Sequence, residues 1–413
     1  MRSAIDLDQA ANLVVVSGIP AGDSGTGRFV AHLQARMAEL VGNRIKLISR
    51  PERPALWQIR LWLRNKAYKF AASEVIRYGF LLSQFWLDLS LVLLRRGRRL
   101  ILLHPQNVGY RLALRLVESR KAPSLIYLLD SSFFCIVSYN HLQGENGSCL
   151  RCLEFGFDQI AKNGCEPFPR PDPSATEFAP RLQELVKAGR VKVAAQNLRQ
   201  AELAQRHFGL PSCPPVIGLW TQDWDEVFSG KAELPSNDVP AAYSWDVLFH
   251  GHCLDAKGAS WTAKVAAQCL ELRFMFSFPK PDWFEAPANC SFVPCTWESG
   301  MRDEMNRSRF VVVPSLWSAP IEGALVKSIS CARAVIVVHN PTSYCDELPD
   351  GLVLKLSATP AVAAVELRHA VENDWHPDAD IKAQWLAGFA KNKLGFVPAL
   401  LDAALSVRVE SPT

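Results

Sequence analysis

The run from Arg309 to Val338 constrains the fold more than any other stretch of the chain. Phe310 to Val313 is a short apolar, β-branched strand signal, stopped by Pro314 and Ser315. Pro320 stands where a helix can begin but not continue. A helix from about Ile321 to Cys331 follows, and Ala334 to Val338 reads as a second buried strand. Strand, loop, helix and strand in this order make half of an α/β nucleotide-binding unit. Its polar loop falls at the carboxyl end of a strand, where ligands of open parallel sheets collect.

The rest of the chain must supply the other layers. With 413 residues it is too long for one core and suits two domains of about 150–200 residues each. Hydrophobic residues make up 49% and charged ones 21%, a composition that can bury large cores. A net charge of +4 does not by itself imply nucleic acid. Asp6 and Asp8 lie where a secretory apolar region belongs, and Leu13–Val16 is too short to replace it, so a cytoplasmic protein is expected. In that compartment the eleven cysteines read as thiols or metal ligands rather than disulfides.

Leu13–Ser17 is expected as the first strand, followed by a glycine-rich turn, Gly18 to Gly27, into a helix from Arg28 to about Leu40. At Gly25, Thr26 and Gly27 the backbone can approach an anion closely, although the turn matches neither G-x-G-x-x-G nor a Walker A loop. Geometry alone is the plainer use of such glycines. Arg44–Ser49 is a second strand. Arg99–Leu103 is a third, delivering His104 to its end, and Ser124–Leu129 delivers Asp130; both are candidates by position. A packed or capping role is the plain alternative for His104.

Between these strands, residues 56–94 have helical periodicity and combine Trp57, Trp62, Phe85 and Trp86 with Arg60, Arg64, Lys66, Lys69 and Arg77, ahead of Arg95, Arg96, Arg98 and Arg99. Tyr78–Leu94 approaches a membrane span in length but contains Gln84 and Asp88, which argues against crossing. Two readings stay open. Residues 56–99 are either amphipathic helices with solvated basic faces or a surface that rests on anionic lipid, which would place the protein on the cytoplasmic face of a membrane.

Cys135, Cys149, Cys152 and Cys165 fall within about thirty residues, with Gly144, Gly147 and Gly164 at the turns. Four thiolates so spaced suit a structural tetrahedral zinc, with His141 as a substitute ligand. Ordinary buried thiols are the alternative. Further on, Ser174 and Glu177 form a capping-box signal for a helix to about Ala188, Val191–Ala195 is a strand and Asn197–Phe208 a helix. Prolines 211, 214 and 215 and the acidic stretch to Pro240 mark a boundary. The expected division is a first domain at 1–212 with a cysteine-rich insert at 131–170, a linker at 213–240, a second domain at 241–380, and terminal helices at 381–413.

The second domain opens with a strand from Asp246 that ends at Gly251, then His252, Lys257 and Gly258, with Ser260 expected to cap a helix from Trp261 to Leu272. Arg273–Phe278, Cys290–Val293 and Gly351–Leu356 are further strand signals, and Ser299–Ser308 and Thr359–Asn373 further helices.

Pro314, Ser315, Leu316, Trp317, Pro320 and the closing strand resemble the donor-site segment of the family 4 retaining glycosyltransferases, which have the two-domain GT-B fold. In that family Pro-Ser-x-Trp leads through a Glu-x7-Glu motif; the matching positions here are Ala319 and Lys327, and the nearby carboxylate is Glu322. Lys257-Gly258 matches the family's Gly-Arg-x4-Lys-Gly, with His252 in the arginine's place. Asp130, Phe133 and Cys135 match its His-Asp segment, with Leu129 where the histidine stands.

The resemblance implies two doubly wound Rossmann-like domains facing a cleft. It implies a nucleotide-sugar donor held by Gly251, His252, Lys257, Gly258, Ser315, Ala319, Gly323 and Lys327, with Glu322, Asp130 and His104 as catalytic candidates. Gly25, Thr26 and Gly27 would face the acceptor and the donor phosphates. The implied acceptor is a lipid-linked or glycan chain of a cell-surface polysaccharide or glycolipid pathway, and no metal is implied for catalysis. Lys327 has three donors and no acceptor, so it cannot take the family glutamate's hydrogen bonds from ribose. Either Lys327 meets phosphate or an acidic sugar, or Glu322 has taken over, or the site is degenerate; in the last case the chain is a non-catalytic binding or regulatory subunit. A nicotinamide enzyme lacks its fingerprint turn here. Glu145, Glu154 and Asp158 beside the cysteines argue against a nucleic-acid binder.

Overall fold

The computed structural model describes residues 11–22, 25–168, 171–228 and 243–406. The N-terminal reading, Asp23 and Ser24 of the glycine-rich turn, Pro169 and Arg170 of the insert, most of the acidic linker and the last seven residues lie outside the described residues.

Eleven strands form two sheets among the described residues. The first runs β2-β1-β3-β4-β5, from β1 (Leu13–Ser17), β2 (Lys46–Ser49), β3 (Arg99–His104), β4 (Ser124–Tyr127) and β5 (Val191–Ala194). The second runs β11-β10-β9-β6-β7-β8, from β6 (Trp245–Phe249), β7 (Phe274–Phe276), β8 (Cys290–Phe292), β9 (Ser308–Val312), β10 (Val335–Val338) and β11 (Leu354–Leu356). Every ladder pair is parallel. Strands buried on both faces need unbroken apolar runs, and Leu13–Val16 and Val335–Val338 are such runs, fully buried. Strand order reverses between β1 and β3 in one sheet and between β6 and β9 in the other, which sets two crevices at carboxyl strand ends, the place where ligands of open α/β sheets bind. Two doubly wound α/β units result, the architecture expected from the sequence.

Helices α1 (Gly25–Val41), α2 (Leu56–Arg64), α3 (Tyr68–Leu94) and α4 (Tyr110–Glu118) belong to the first unit. Its contact with the second is both apolar and polar. One core cluster runs from Leu13 and Phe29 through Trp220 and Trp224 to Leu325 and Val337. The helix Asn392–Leu405 lies against β3 and β4, with the Phe396 ring 5.8 Å from Phe29 and Arg99 Nη1 donating to the Ala404 carbonyl at 3.2 Å. Glu347 of the second unit accepts from the amides of Leu198 and Arg199 (3.2 and 2.6 Å) and from Asn197 Nδ2 (2.5 Å). It thereby satisfies the free N–H groups at the start of the helix Leu198–Phe208, whose own N-cap side chain does not.

Several expected boundaries shift for identifiable reasons. Helix α1 begins at Gly25, so Gly25, Thr26 and Gly27 form its first turn rather than a loop. The helix expected from Trp261 to Leu272 spans Ala259–Ala266, because Asn289 Nδ2 donates to the carbonyls of Ala266, Cys269 and Leu272 (3.1, 2.9 and 2.8 Å) and turns the chain off the helical path. The N-cap of that helix is Gly258, not Ser260. The capping box at Ser174 does not form, since its hydroxyl donates to Asp172 at 2.6 Å and accepts from the Arg111 amide at 3.1 Å.

Candidate functional site

The site begins with two loops at the carboxyl ends of β6 and β9. Gly258 has φ +76°, and a Cβ there would lie 2.1 Å from the Pro314 carbonyl oxygen, so only glycine lets these backbones meet. The amide of Leu316 donates to the Ala256 carbonyl at 2.9 Å and fixes the contact. The two motifs quoted from the sequence, Lys257-Gly258 and Pro314-Ser315, are thus held against each other.

That contact creates the central cluster. Lys257 Nζ is ion-paired with Glu322 Oε1, with side chains 16% and 10% exposed, and the Ser315 hydroxyl donates to Glu322 Oε2 at 2.5 Å. Burial alone would push Lys257 down; the Glu322 charge, then Tyr139 and the hydrogen bond to Glu322, outweigh it and hold the ammonium above its ordinary value. Lys257 Nζ also lies 4.8 Å from the Trp317 ring centroid and 5.3 Å from that of Tyr139, and the two rings meet edge to face at 4.8 Å. Trp317 is buried and its indole Nε1 has no hydrogen-bond partner. His252 stands near this cluster, exposed on one side; the buried part of its ring and then the Lys257 charge push it below the ordinary histidine value. It therefore resists becoming the second cation that the arginine in the resembling motif would supply.

Glu322 is the N-cap of the helix Gly323–Cys331 but makes no capping bond to it, because its carboxylate is turned to Lys257 and Ser315. The first-turn amides of Gly323 and Ala324 face the same region with the positive end of the helix dipole. Ala319 is buried, and its carbonyl accepts from the Tyr344 amide at 2.8 Å and the Ser343 hydroxyl at 3.2 Å, a backbone role. Gly251 packs against the Phe249 ring.

On the first unit, Gly18 lets the end of β1 approach the β3 loop, where a Cβ would overlap the Gln106 carbonyl. His104 Nε2 is 2.9 Å from Asp130 Oδ2, and Asp130 Oδ1 accepts from the Ser132 amide at 2.8 Å. Burial would raise Asp130, but His104 and Ser132 together bring it below the usual carboxylate value. His104 is 1% exposed and its Nδ1 has no hydrogen-bond partner, so its Asp130 contact, which the sequence did not indicate, is made by a buried ring. The Asp130 charge reaches Lys257 across the cleft. Asn140 ties the insert to the loop after β9 by two bonds to Ser318, 2.8 and 3.0 Å. His141 Nε2 pairs with Asp255 Oδ2 at 3.1 Å, and that hydrogen bond, with the Gly144 amide, draws Asp255 down to about 2. The His141 imidazole is accordingly engaged with a carboxylate rather than with the cysteines.

Lys327 does not join Lys257. Its Nζ pairs with Asp223 Oδ2 at 2.5 Å and lies 4.6 Å from the Trp297 ring, and burial pushes it below the usual lysine value. Arg28, in the first turn of α1, reaches the same Asp223 at 3.1 Å and Glu298 at 2.6 Å. Gly25–Gly27 thus lead into an arginine that touches the second unit at this second cluster.

Cys135, Cys149, Cys152 and Cys165 are all free and line one cavity of about 30 Å³ with Phe134, His141 and His207. Burial pushes the Cys135, Cys152 and Cys165 thiols up, Cys152 to about 11, with neighbouring sulfurs adding to the effect. As the side chains lie, no three His, Cys, Asp or Glu groups among the described residues are placed to hold a metal ion. The four cysteines line one cavity, but as placed they do not form a metal-holding group among the described residues.

Tyr139, Asp223, Trp297, Asn140 and Asp255 escaped the sequence reading. Asp255 falls at an unspecified position of the Gly251–Gly258 motif and the others sit in no motif, and each acts through contacts made by distant segments. Trp317 was visible only as part of Pro-Ser-x-Trp. A separate cavity of about 230 Å³ opens at the ends of β2 and β3, lined by Arg50, Gln106, Tyr110, Phe168 and Asp172.

No family model and no curated protein matches the chain. Solved structures do. The apo form of the lipopolysaccharide outer core galactosyltransferase WaaB aligns with a TM-score of 0.54 at 10% identity over 95% of this chain and 99% of that one. A glycosyltransferase from Rickettsia africae aligns at 0.52 and 9% over 97% and 99%. Sucrose-phosphate synthase from Thermosynechococcus elongatus aligns at 0.50 and 13% over 95% and 96%. The fold is that of the two-domain, GT-B type glycosyltransferases.

Proposed function

We propose that the protein transfers a sugar from a nucleotide-sugar donor to an acceptor hydroxyl, with a lipid-linked or glycan acceptor in cell-surface polysaccharide or glycolipid synthesis. The observation that carries this reading is the Lys257–Glu322–Ser315 cluster beside a free helix N-terminus, facing His104–Asp130 across the cleft. Breaking a sugar–phosphate bond leaves a diphosphate whose new charge must be met where it develops. Lys257 and the amides of Gly323 and Ala324 supply that positive field. Glu322 is placed to accept hydroxyl hydrogen bonds from the sugar once phosphate draws Lys257 away. On the acceptor side the His104–Asp130 pair would take a proton from the attacking hydroxyl through the part-exposed Asp130 carboxylate, the His104 ring being buried behind it. Oxocarbenium character in the sugar is expected, as in glycoside hydrolysis.

Nucleoside diphosphate release over a panel of nucleotide sugars tests the reading. Turnover with one donor, lost on Lys257→Ala, supports it. Retention of anomeric configuration follows from the family resemblance alone, and an inverted product by NMR would remove it. The second reading, a non-catalytic binding or regulatory subunit, draws on Lys327 being neutralised by Asp223 where the family has a free carboxylate. Donor binding without turnover, unchanged by Lys257→Ala, would establish it. Structural zinc on the four cysteines stands as a proposal that requires the insert to close on the metal. Elemental analysis of protein purified without chelator decides it: one equivalent supports it, none sinks it.

A further inference from the structure

Helix α3 is apolar on two opposite faces. At ~100° per residue, Phe85, Leu89 and Val92 fall on one side and are buried against Val14, Val16 and Ile48 of the sheet. Ile76, Phe80, Leu87, Leu91 and Leu94 fall within about 60° of one another on the opposite side. They are 71, 69, 60, 37 and 78% exposed. None of α2 is buried, and it adds exposed Leu56, Trp57, Leu61 and Leu63, with Trp62 against Phe70 joining the two helices. Fourteen of the twenty-five exposed large hydrophobics among the described residues lie in these two helices. A core explains the first face of α3 and not the second.

The charge around this apolar face identifies its partner. Residues 56–99 carry nine Lys or Arg against Glu74 and Asp88, a net +7 in a chain of net +4, so the remainder is net negative. Arg60, Arg64, Lys66 and Lys69 cluster at one end of the face, and Arg95 and Arg96, both exposed, close the other. An apolar stripe carrying aromatic side chains and bracketed by exposed cations matches the headgroup boundary of an anionic bilayer, where the stripe enters the acyl edge and the cations meet phosphates.

We propose that α2 and α3 dock the protein on an anionic lipid surface, lying in its interface plane. Crossing is opposed by the fold. Although α3 has the length and composition of a span, Phe85, Leu89 and Val92 belong to the core and Asp88 pairs with Lys46 at 2.5 Å, so its second half cannot leave the sheet. The proposal does not depend on glycosyl transfer, since it rests on a face that no part of the cleft uses.

Full-length protein is sedimented with vesicles of phosphatidylcholine containing phosphatidylglycerol, and with phosphatidylcholine alone. Binding is expected to the anionic vesicles and to weaken with salt. Ile76→Ser/Phe80→Ser should weaken it by about tenfold or more, and Lys66→Glu/Lys69→Glu by about fivefold per charge removed. Val362→Ser/Val365→Ser, which alters exposed apolar residues of the second unit, should leave it unchanged. All these side chains are exposed, and circular dichroism confirms each variant's fold. The proposal is overturned if anionic vesicles are not bound, or if the stripe and control variants bind alike. It is equally overturned if sedimentation velocity shows a dimer that the stripe substitutions dissociate while vesicles are ignored, which would make the face a contact between two copies.

Discussion

Replacing Lys257 by Met separates the two jobs assigned to it. In the folded protein its ammonium balances a Glu322 carboxylate that is 10% exposed and keeps only the Ser315 hydroxyl once the lysine is gone. Removing one partner of a buried pair costs about 3–5 kcal/mol. The pair has an edge to water and Ser315 remains, which places the loss at the lower end, about 3 kcal/mol with the ring contacts to Trp317 and Tyr139 included. Glu322→Gln in the same chain removes the stranded charge, so the double variant should return to within about 1 kcal/mol of the parent. Activity should follow a different pattern, with turnover falling about 10²–10³-fold in both variants, because each lacks the cation that meets the leaving diphosphate. Urea unfolding read by tryptophan fluorescence gives the first quantity, and nucleoside diphosphate release gives the second. If single and double variants are equally destabilised, the pair does not hold the loops together. If turnover survives within tenfold in Lys257→Met, the leaving-group assignment fails.

Other parts of the structure give further expectations. Glu347→Ala should destabilise by about 1–2 kcal/mol, a cap's worth or slightly more, and speed hydrogen exchange at the Leu198 and Arg199 amides that it accepts from. His207 is buried and stacked 4.3 Å from Phe134, and burial lowers it from 6.5 to about 3. The folded state therefore refuses a proton that the unfolded chain takes up, so this contribution is intact above pH 6.5 and is lost as pH falls toward 3. At pH 5 the loss is about 2 kcal/mol, and His207→Phe should flatten the urea midpoint between pH 7.5 and 5. Lys327→Glu, which restores the carboxylate of the resembling family, puts a second acid where Lys327 Nζ now sits 2.5 Å from Asp223. It should cost about 2–3 kcal/mol with no gain in turnover, and a stable, faster enzyme would contradict the pairing.

The fold was legible because its signals are local. The unbroken runs Leu13–Val16 and Val335–Val338 could only be strands buried on both faces, and Gly258 and Pro314 bracket loops whose positions follow from strand ends. Helix limits were less legible where a distant side chain sets them: the arrest at Ala266 depends on Asn289. The site divided in the same way. Lys257, Ser315, Glu322, His104 and Asp130 could each be selected from strand ends and motifs, because backbone topology brings those loops together, but the pairing of His104 with Asp130 appears only in the structure. Asp223 and Tyr139 could not, since each lies in an irregular segment and is chosen by a charge or ring contributed from elsewhere in the chain. Exposure of the second face of α3 was equally hidden. Periodicity reports that a helix has apolar sides but not which of them the sheet covers.

The two lysines of the second unit show how electrostatics, rather than motif identity, assigns roles here. Each is largely buried and each has one carboxylate, but the partners differ in what they leave available. Asp223 is shared with Arg28 and held below the usual carboxylate value by Lys327, Thr221 and Arg28, which outweigh its burial. Pulling Lys327 toward a ligand would break a contact between the two units as well as an ion pair. Glu322 belongs to the same unit as Lys257 and is one short loop away from Ser315, so an arriving diphosphate can take Lys257 while the carboxylate keeps its serine and turns to sugar hydroxyls. Exchange of one anion for another on Lys257 leaves the domain contact undisturbed. The cost of releasing Lys327 is therefore charged to the architecture, and that of releasing Lys257 only to the site, which is why the proposed reading gives the substrate cation's role to Lys257 and a joining role to Lys327.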